Sequence, residues 1–173
     1  MRRFFCILLL LASSVWAGPQ DASAFDPSGL GAQNAVYQFN YEKPQDLLLG
    51  LGYLKNHLQA LKEFGDLGHS QLVVVAHGNE LHMLSRLNQV AYPEIYAELK
   101  QLTNQGVQFR VCRNAARSRG YQPQDFYDVV TVVPSAMSEL AKWQGQGFAY
   151  ISGNVIRKTQ RPRPDLAPAL PAN

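Results

Sequence analysis

The chain has 173 residues, of which 46% are hydrophobic and 17% charged. That length bounds it to one domain of ordinary size with a real core. The formal charge of +3 is partly that of an expected leader. Removing Arg2 and Arg3 leaves 14 basic residues against 13 acidic ones, a charge of +1. A near-neutral domain gives no electrostatic reason to expect a nucleic-acid partner.

The leader has the three parts of a secretory signal. Arg2 and Arg3 form a positive start, Phe4 to Leu11 an apolar run, and Val15-Trp16-Ala17 puts small residues where a signal peptidase reads. The run falls short of the roughly 20 apolar residues needed to span a bilayer. Residues 1–17 are therefore expected to be cleaved, after Ala17 or at a second site near Ala24. The mature protein is then periplasmic and has no membrane anchor. Cleavage also removes Cys6 and leaves Cys112 alone. A single exported cysteine cannot form an internal disulfide, so its thiol is inert in the core, paired with another chain, or reactive.

Residues 18–34 are rich in Gly, Ala, Ser, Asp and Pro without periodicity, which predicts a flexible leader. The folded domain is expected over residues 35–156. Ala35 to Tyr41 alternates Tyr and Phe with other residues and predicts the first strand. Leucines at helical spacing from Leu47 to Leu61 predict a helix over Gln45 to Phe64. Gly50 and Gly52 weaken it by about 1 kcal/mol each against alanine, which points to close approach by a neighbour. Leu72 to Ala76 is the β-branched run of a central strand covered on both faces. A short helix over Glu80 to Leu87 and a longer one from Pro93 through Leu102 follow, and Gly106 ends the second. Val107, Phe109 and Val111 alternate with Gln108, Arg110 and Cys112, so a strand delivers the thiol to its carboxyl end.

Beyond it, Asn114 to Gly120 is a short helix or loop, and Val129 to Val133 is a fourth strand. Ser135 is placed to cap a helix running to Gln144, with Glu139 and Lys142 outward. Phe148 to Ile151 is the last strand. Four prolines and scattered charges predict that residues 157–173 form a tail that does not fold. Alternating strands and helices predict an α/β domain: a mostly parallel sheet of five strands with helices on both faces.

Three strand ends can carry chemistry: His77-Gly78-Asn79, Cys112-Arg113-Asn114 and Pro134-Ser135. A thiol acts as its thiolate, which nearby cations stabilise. Arg113 supplies a cation, Asn114 a hydrogen bond to sulfur, and His77 a base or positive neighbour. Cysteine also belongs to the most buried residue types, so plain packing is the competing reading. The four histidines lack zinc-ligand spacing, and no glycine-rich phosphate loop follows a strand. No metal or cofactor is expected. Ser135 lacks the glycine elbow of an esterase.

Four stretches, in order and spacing, resemble the exported single-domain branch of the DsrE/DsrF-like family. They are Val73-Val74-Val75-Ala76-His77-Gly78, Gly106 to Asn114, Val132-Val133-Pro134-Ser135-Ala136, and Trp143 to Ile151. Ala136 stands where that pattern often has glycine. The resemblance implies a flavodoxin-like three-layer sandwich that assembles into homo-oligomers, trimers or hexamers. It also implies a possible place in sulfur relay, with a persulfide on Cys112 exchanged with a donor or acceptor protein. Other members of the family have no active thiol and serve only as assembly partners, so a non-catalytic binding or assembly module is the alternative.

Overall fold

A computed structural model describes residues 23–156 of the chain. The expected signal at 1–17 and the tail at 157–173 lie outside the described residues. Five strands form one sheet: β1 (Asn34–Phe39), β2 (Gln71–Ala76), β3 (Gln108–Cys112), β4 (Val130–Val133) and β5 (Ala149–Ser152). Their order is β4-β3-β2-β1-β5, and all four pairings are parallel. The helices between them are α1 (Asp46–Phe64), α2 (Leu81–Leu84), α3 (Ile95–Asn104), α4 (Arg113–Ser118) and α5 (Ala136–Gly145). The five-stranded α/β sheet with helices on both faces stands as expected.

Strand alternation sorts the side chains into two layers. Tyr37, Phe39, Leu72, Val74, Phe109 and Val111 point to the layer holding the leucines of α1 and the apolar side of α3. Val36, Val73, Val75 and Cys112 point the other way, against Ala136, Leu140 and Trp143 of α5. The asymmetry follows from the winding. From β1 to β4 the strands are added in one direction, and right-handed crossovers put their helices on one face. The chain then reverses to lay β5 beside β1, and the same handedness carries α5 to the opposite face.

The expected helix over Glu80–Leu87 is shorter than its sequence signal. One turn, α2, gives way at Ser85 to a 3-10 turn over Arg86–Asn88. Ser85 is buried, its hydroxyl donates to Asp125 O at 2.9 Å, and it accepts from Leu87 N. That side chain competes with helix continuation. At the other helix ends, Gly106 (φ 92°) and Gly147 (φ 85°) take the left-handed conformation that closes α3 and α5.

Glycines 50 and 52 turn out to be unlike each other. A Cβ on Gly50 would strike the Tyr41 hydroxyl and come within 2.9 Å of Phe39 Cζ, while one on Gly52 would meet nothing within 4 Å. The close approach expected at both occurs only at Gly50. Glu139, expected outward, is buried: Trp143 Nε1 donates to its Oε1 at 2.8 Å, and the Arg110 guanidinium lies 4.0 Å away. A charge on the inner side of α5 is tolerated because cations from β3 and from Lys142 surround it.

The leader's last residues are tied to the domain rather than free of it. Leu30 N donates to Phe64 O at 2.9 Å and Gln33 N to Ser70 Oγ at 3.0 Å. His57, on the half-buried side of α1, joins this tie. Tyr37 donates its hydroxyl to His57 Nδ1 at 2.7 Å, so Nε2 carries the proton and donates to Gln33 Oε1 at 2.8 Å.

Candidate functional site

The reversal of winding creates the crevice in which an open parallel sheet binds ligands. After β3 the chain turns to one face, where Ala116 of α4 joins the larger core cluster. After β4 it turns to the other, where Ala136 opens α5. The carboxyl ends of β3 and β4 therefore diverge, and the register pairs Cys112 with Val133 at that point. The thiol stands at the switch point of the sheet.

Cys112 ends β3 and is the N-cap residue of α4, with extended backbone at φ −67°, ψ 116°. Its Sγ accepts from Ala115 N at 3.5 Å. The residue is 6% exposed and belongs to the core cluster that Val75, Ala136 and Leu140 share on the α5 side of the sheet. Arg113 and Asn114 follow on the first turn of α4 and are exposed. The hydrogen bond to sulfur thus comes from the Ala115 amide, while Asn114 faces solvent.

His77 is beside the thiol. The β2–β3 register pairs Ala76 with Val111, so the next residues, His77 and Cys112, are neighbours at the sheet edge. Parallel strands are about 4.8 Å apart, and alternation turns both side chains to the α5 face. No hydrogen bond joins them. His77 Nε2 instead lies 2.8 Å from Gln38 Nε2, and the Gln38 carbonyl accepts from the Tyr150 hydroxyl. That chain of donors fixes the tautomer: the Gln38 amide donates to Nε2, and the imidazole proton sits on Nδ1. His77 is therefore positioned as a hydrogen-bond donor, its lone pair already used. Burial lowers its pKa below the ordinary 6.5; Glu80 opposes that shift and Arg119 adds to it. The ring is neutral at pH 7.

Two parts of this edge have little sequence signal. Gln38 is a lone polar residue at an inward position of an apolar strand, a visible clue. Glu80 has none. It is fully buried, and its carboxylate accepts from Gly78 N at 2.7 Å and Tyr41 N at 2.9 Å. It clamps the loops after β1 and β2 together. A Cβ on Gly78 would collide with Tyr41 N and stand 2.7 Å from Tyr41 O, so only glycine fits the junction. Asn79 then receives Arg119 Nε at 3.0 Å, and Arg119 also donates to Ala115 O at 2.9 Å. Arg119 thereby ties the loop after β2 to the helix that Cys112 begins.

Ser135 occupies the N-cap position of α5 but makes no capping hydrogen bond with its side chain. It belongs to the same edge and is joined to neither His77 nor Cys112. Among the described residues no cluster of His, Cys, Asp and Glu is arranged to hold a metal. No helix among them is long and apolar enough to cross a membrane.

A wound parallel sheet of five strands with helices on both faces defines an α/β domain of the flavodoxin-like, three-layer kind. The chain belongs to the DsrE/DsrF-like family, which matches residues 35–152. It is also similar to a solved structure described as a protein of unknown function, MTH1491, from Methanobacterium thermoautotrophicum. The identity is 26% and the TM-score 0.57, with 69% of this chain and 98% of that one covered. Among curated proteins the chain has no match.

The two half-buried histidines make stability depend on pH. Burial lowers the pKa of both His57 and His77 below 6.5. The unfolded chain then binds protons that the folded chain refuses, so stability is full above about pH 6.5 and declines as pH falls toward the folded values. The slope is at most about 1.4 kcal/mol per pH unit for each ring. Urea unfolding at pH 7.5 and 5.5 measures it, and H57Q flattens the dependence.

Proposed function

We propose that this protein is an exported sulfur carrier in which Cys112 accepts a sulfane sulfur from one thiol and hands it to another. The observation that carries this reading is the position of the mature chain's lone thiol, at the sheet's switch point beside a neutral, oriented histidine. Family membership supports the chemistry, and the Arg2-to-Ala17 leader supports export to the periplasm.

The transfer conserves electrons and needs no cofactor. The Cys112 thiolate attacks the outer sulfur of a donor persulfide, R–S–SH. The donor's S–S bond breaks, R–S⁻ leaves and takes up a proton, and Cys112–S–SH forms. An acceptor thiolate reverses the step. A sulfur anion at Cys112 accepts from the Ala115 amide, which already donates to Sγ at 3.5 Å, and Arg113 follows at the exposed start of α4. The Nδ1 proton of His77 is available to an incoming sulfur, and Asn114 offers an amide at the exposed lip.

Burial of the thiol in the core cluster beneath α5 favours a second reading, in which Cys112 only packs and the chain is an assembly or small-ligand module. Alkylation separates them. The carrier reading expects the folded protein to react with iodoacetamide at pH 7 at least as fast as a free cysteine. Protection until denaturation sinks it.

Self-association is part of the proposal. The helix α5 packs over β1 and β2, which leaves Thr131 of β4 and Tyr150 of β5 exposed on the same face. A sheet half-covered by its own chain is completed by another copy. Light scattering behind size exclusion is expected to give a trimer or hexamer, and a monomer at micromolar concentration removes this part.

A further inference from the structure

The helix α1 has a second apolar face that the fold leaves open. Leu48 and Leu49 are 48% and 41% exposed. With Tyr53, Asn56 and Ile156 they line a groove of about 210 Å³. Beyond Leu48 it meets a smaller apolar hollow of about 140 Å³, walled by Met83, Tyr92 and Ile95 and rimmed by Glu94 and Glu98. Gly52 forms the groove's floor, with open space where its Cβ would be. Glycine weakens a helix relative to alanine, and nothing within the described fold needs it there. Its missing side chain admits a close approach to the α1 backbone from outside.

The last described residue of the chain, Ile156, lies at this groove. Gly153 N still donates to Gln38 O at 3.0 Å, beside the end of β1. Three residues later Ile156, 77% exposed, lines the groove, and its N–H donates to Tyr53 Oη at 3.3 Å. Residues 157–173 follow. They place Leu166 and Leu170 among Pro162, Pro164, Pro168 and Pro171, a composition suited to an extended polyproline segment that docks in aromatic-lined grooves. Arg157, Lys158, Arg161 and Arg163 against the single Asp165 make the segment basic, complementary to Glu94 on a rim where Glu98 already pairs with Lys55 at 2.7 Å.

We propose that residues 157–173 are a built-in ligand of this groove, running on from Ile156 along α1 of the same chain and seating a leucine in the hollow beyond Leu48. The reach suffices: at about 3.1 Å per residue, Leu166 extends up to about 31 Å from Ile156. At about 1.5 Å per residue, the 19 residues of α1 span about 28 Å. Tethering holds the segment at an effective concentration of order millimolar, which favours its own groove over that of another copy.

A photoreactive benzoylphenylalanine at Asn56, in the full mature chain, tests this. The chain is prepared as a mixture of light and nitrogen-15-labelled protein, irradiated and digested. The expected result is adducts between position 56 and peptides of residues 157–173, light joined to light and heavy to heavy. The double replacement L166S/L170S lowers their yield by at least about tenfold, the scale of losing one buried leucine. Mixed light–heavy adducts, adducts elsewhere only, or a yield indifferent to the double replacement each overturn the proposal.

Discussion

Replacing Cys112 with serine is expected to abolish sulfur loading. Incubated with polysulfide and then freed of excess reagent, the wild-type mature protein is expected to gain one sulfur atom by intact mass, and the C112S variant none. Serine differs by one atom and keeps an acceptor for the Ala115 N–H that now points at Sγ, so the fold survives and the loss is chemical. The partner replacement H77Q has a smaller effect. It removes one hydrogen bond to a developing anion, worth about 1.5 kcal/mol, and so slows loading by about tenfold. A persulfide that forms on C112S, or a wild type that stays at its original mass, ends the carrier reading and leaves the assembly module.

Glu80→Ala is expected to cost about 3 kcal/mol or more of folding stability. Two buried N–H groups, of Tyr41 and Gly78, lose their acceptor, and each buried donor left unsatisfied costs about 1–3 kcal/mol. Deletion of a fully buried side chain adds a cavity. Against a typical domain stability of about 5–15 kcal/mol, such a loss brings the chain close to unfolding at 37 °C. E80Q keeps one acceptor oxygen and loses roughly half as much. Urea midpoints of the three proteins measure the series, and a loss under about 1 kcal/mol for E80A contradicts the clamp. Because Gly78 adjoins His77, any E80A protein that still folds is expected to load sulfur more slowly than wild type.

Strand alternation made much of this legible in advance. The period-2 pattern at Val107 to Cys112 and the continuous β-branched run at Leu72 to Ala76 located the strands, and the alternation of elements implied parallel winding. Cys112 and His77 were both found as strand-end residues from those two signals. Gln38 was within reach as a polar residue interrupting an apolar strand. Other residues were not. Glu139 is at a position whose charge argues for solvent, and Arg110, 29 residues earlier, helps make its burial tolerable. His57 looks like a surface residue of a helix until Tyr37 and Gln33 close on either side of it. Gly50 and Gly52 carry the same propensity cost, yet only the packing of Tyr41 and Phe39 distinguishes them.

Local chemistry therefore determined which segments became strands and helices, which face of each is apolar, and that one thiol ends a central strand. Those properties depend on side chains a few residues apart, and a linear pattern records them. Tertiary structure alone decided that the winding reverses between β3 and β4, which sets Cys112 at the switch point. It also decided that Glu80 joins two loops and that Gln38 orients His77. Each of those contacts spans tens of residues of chain or rests on the order of strands in the sheet, and no local spacing encodes either.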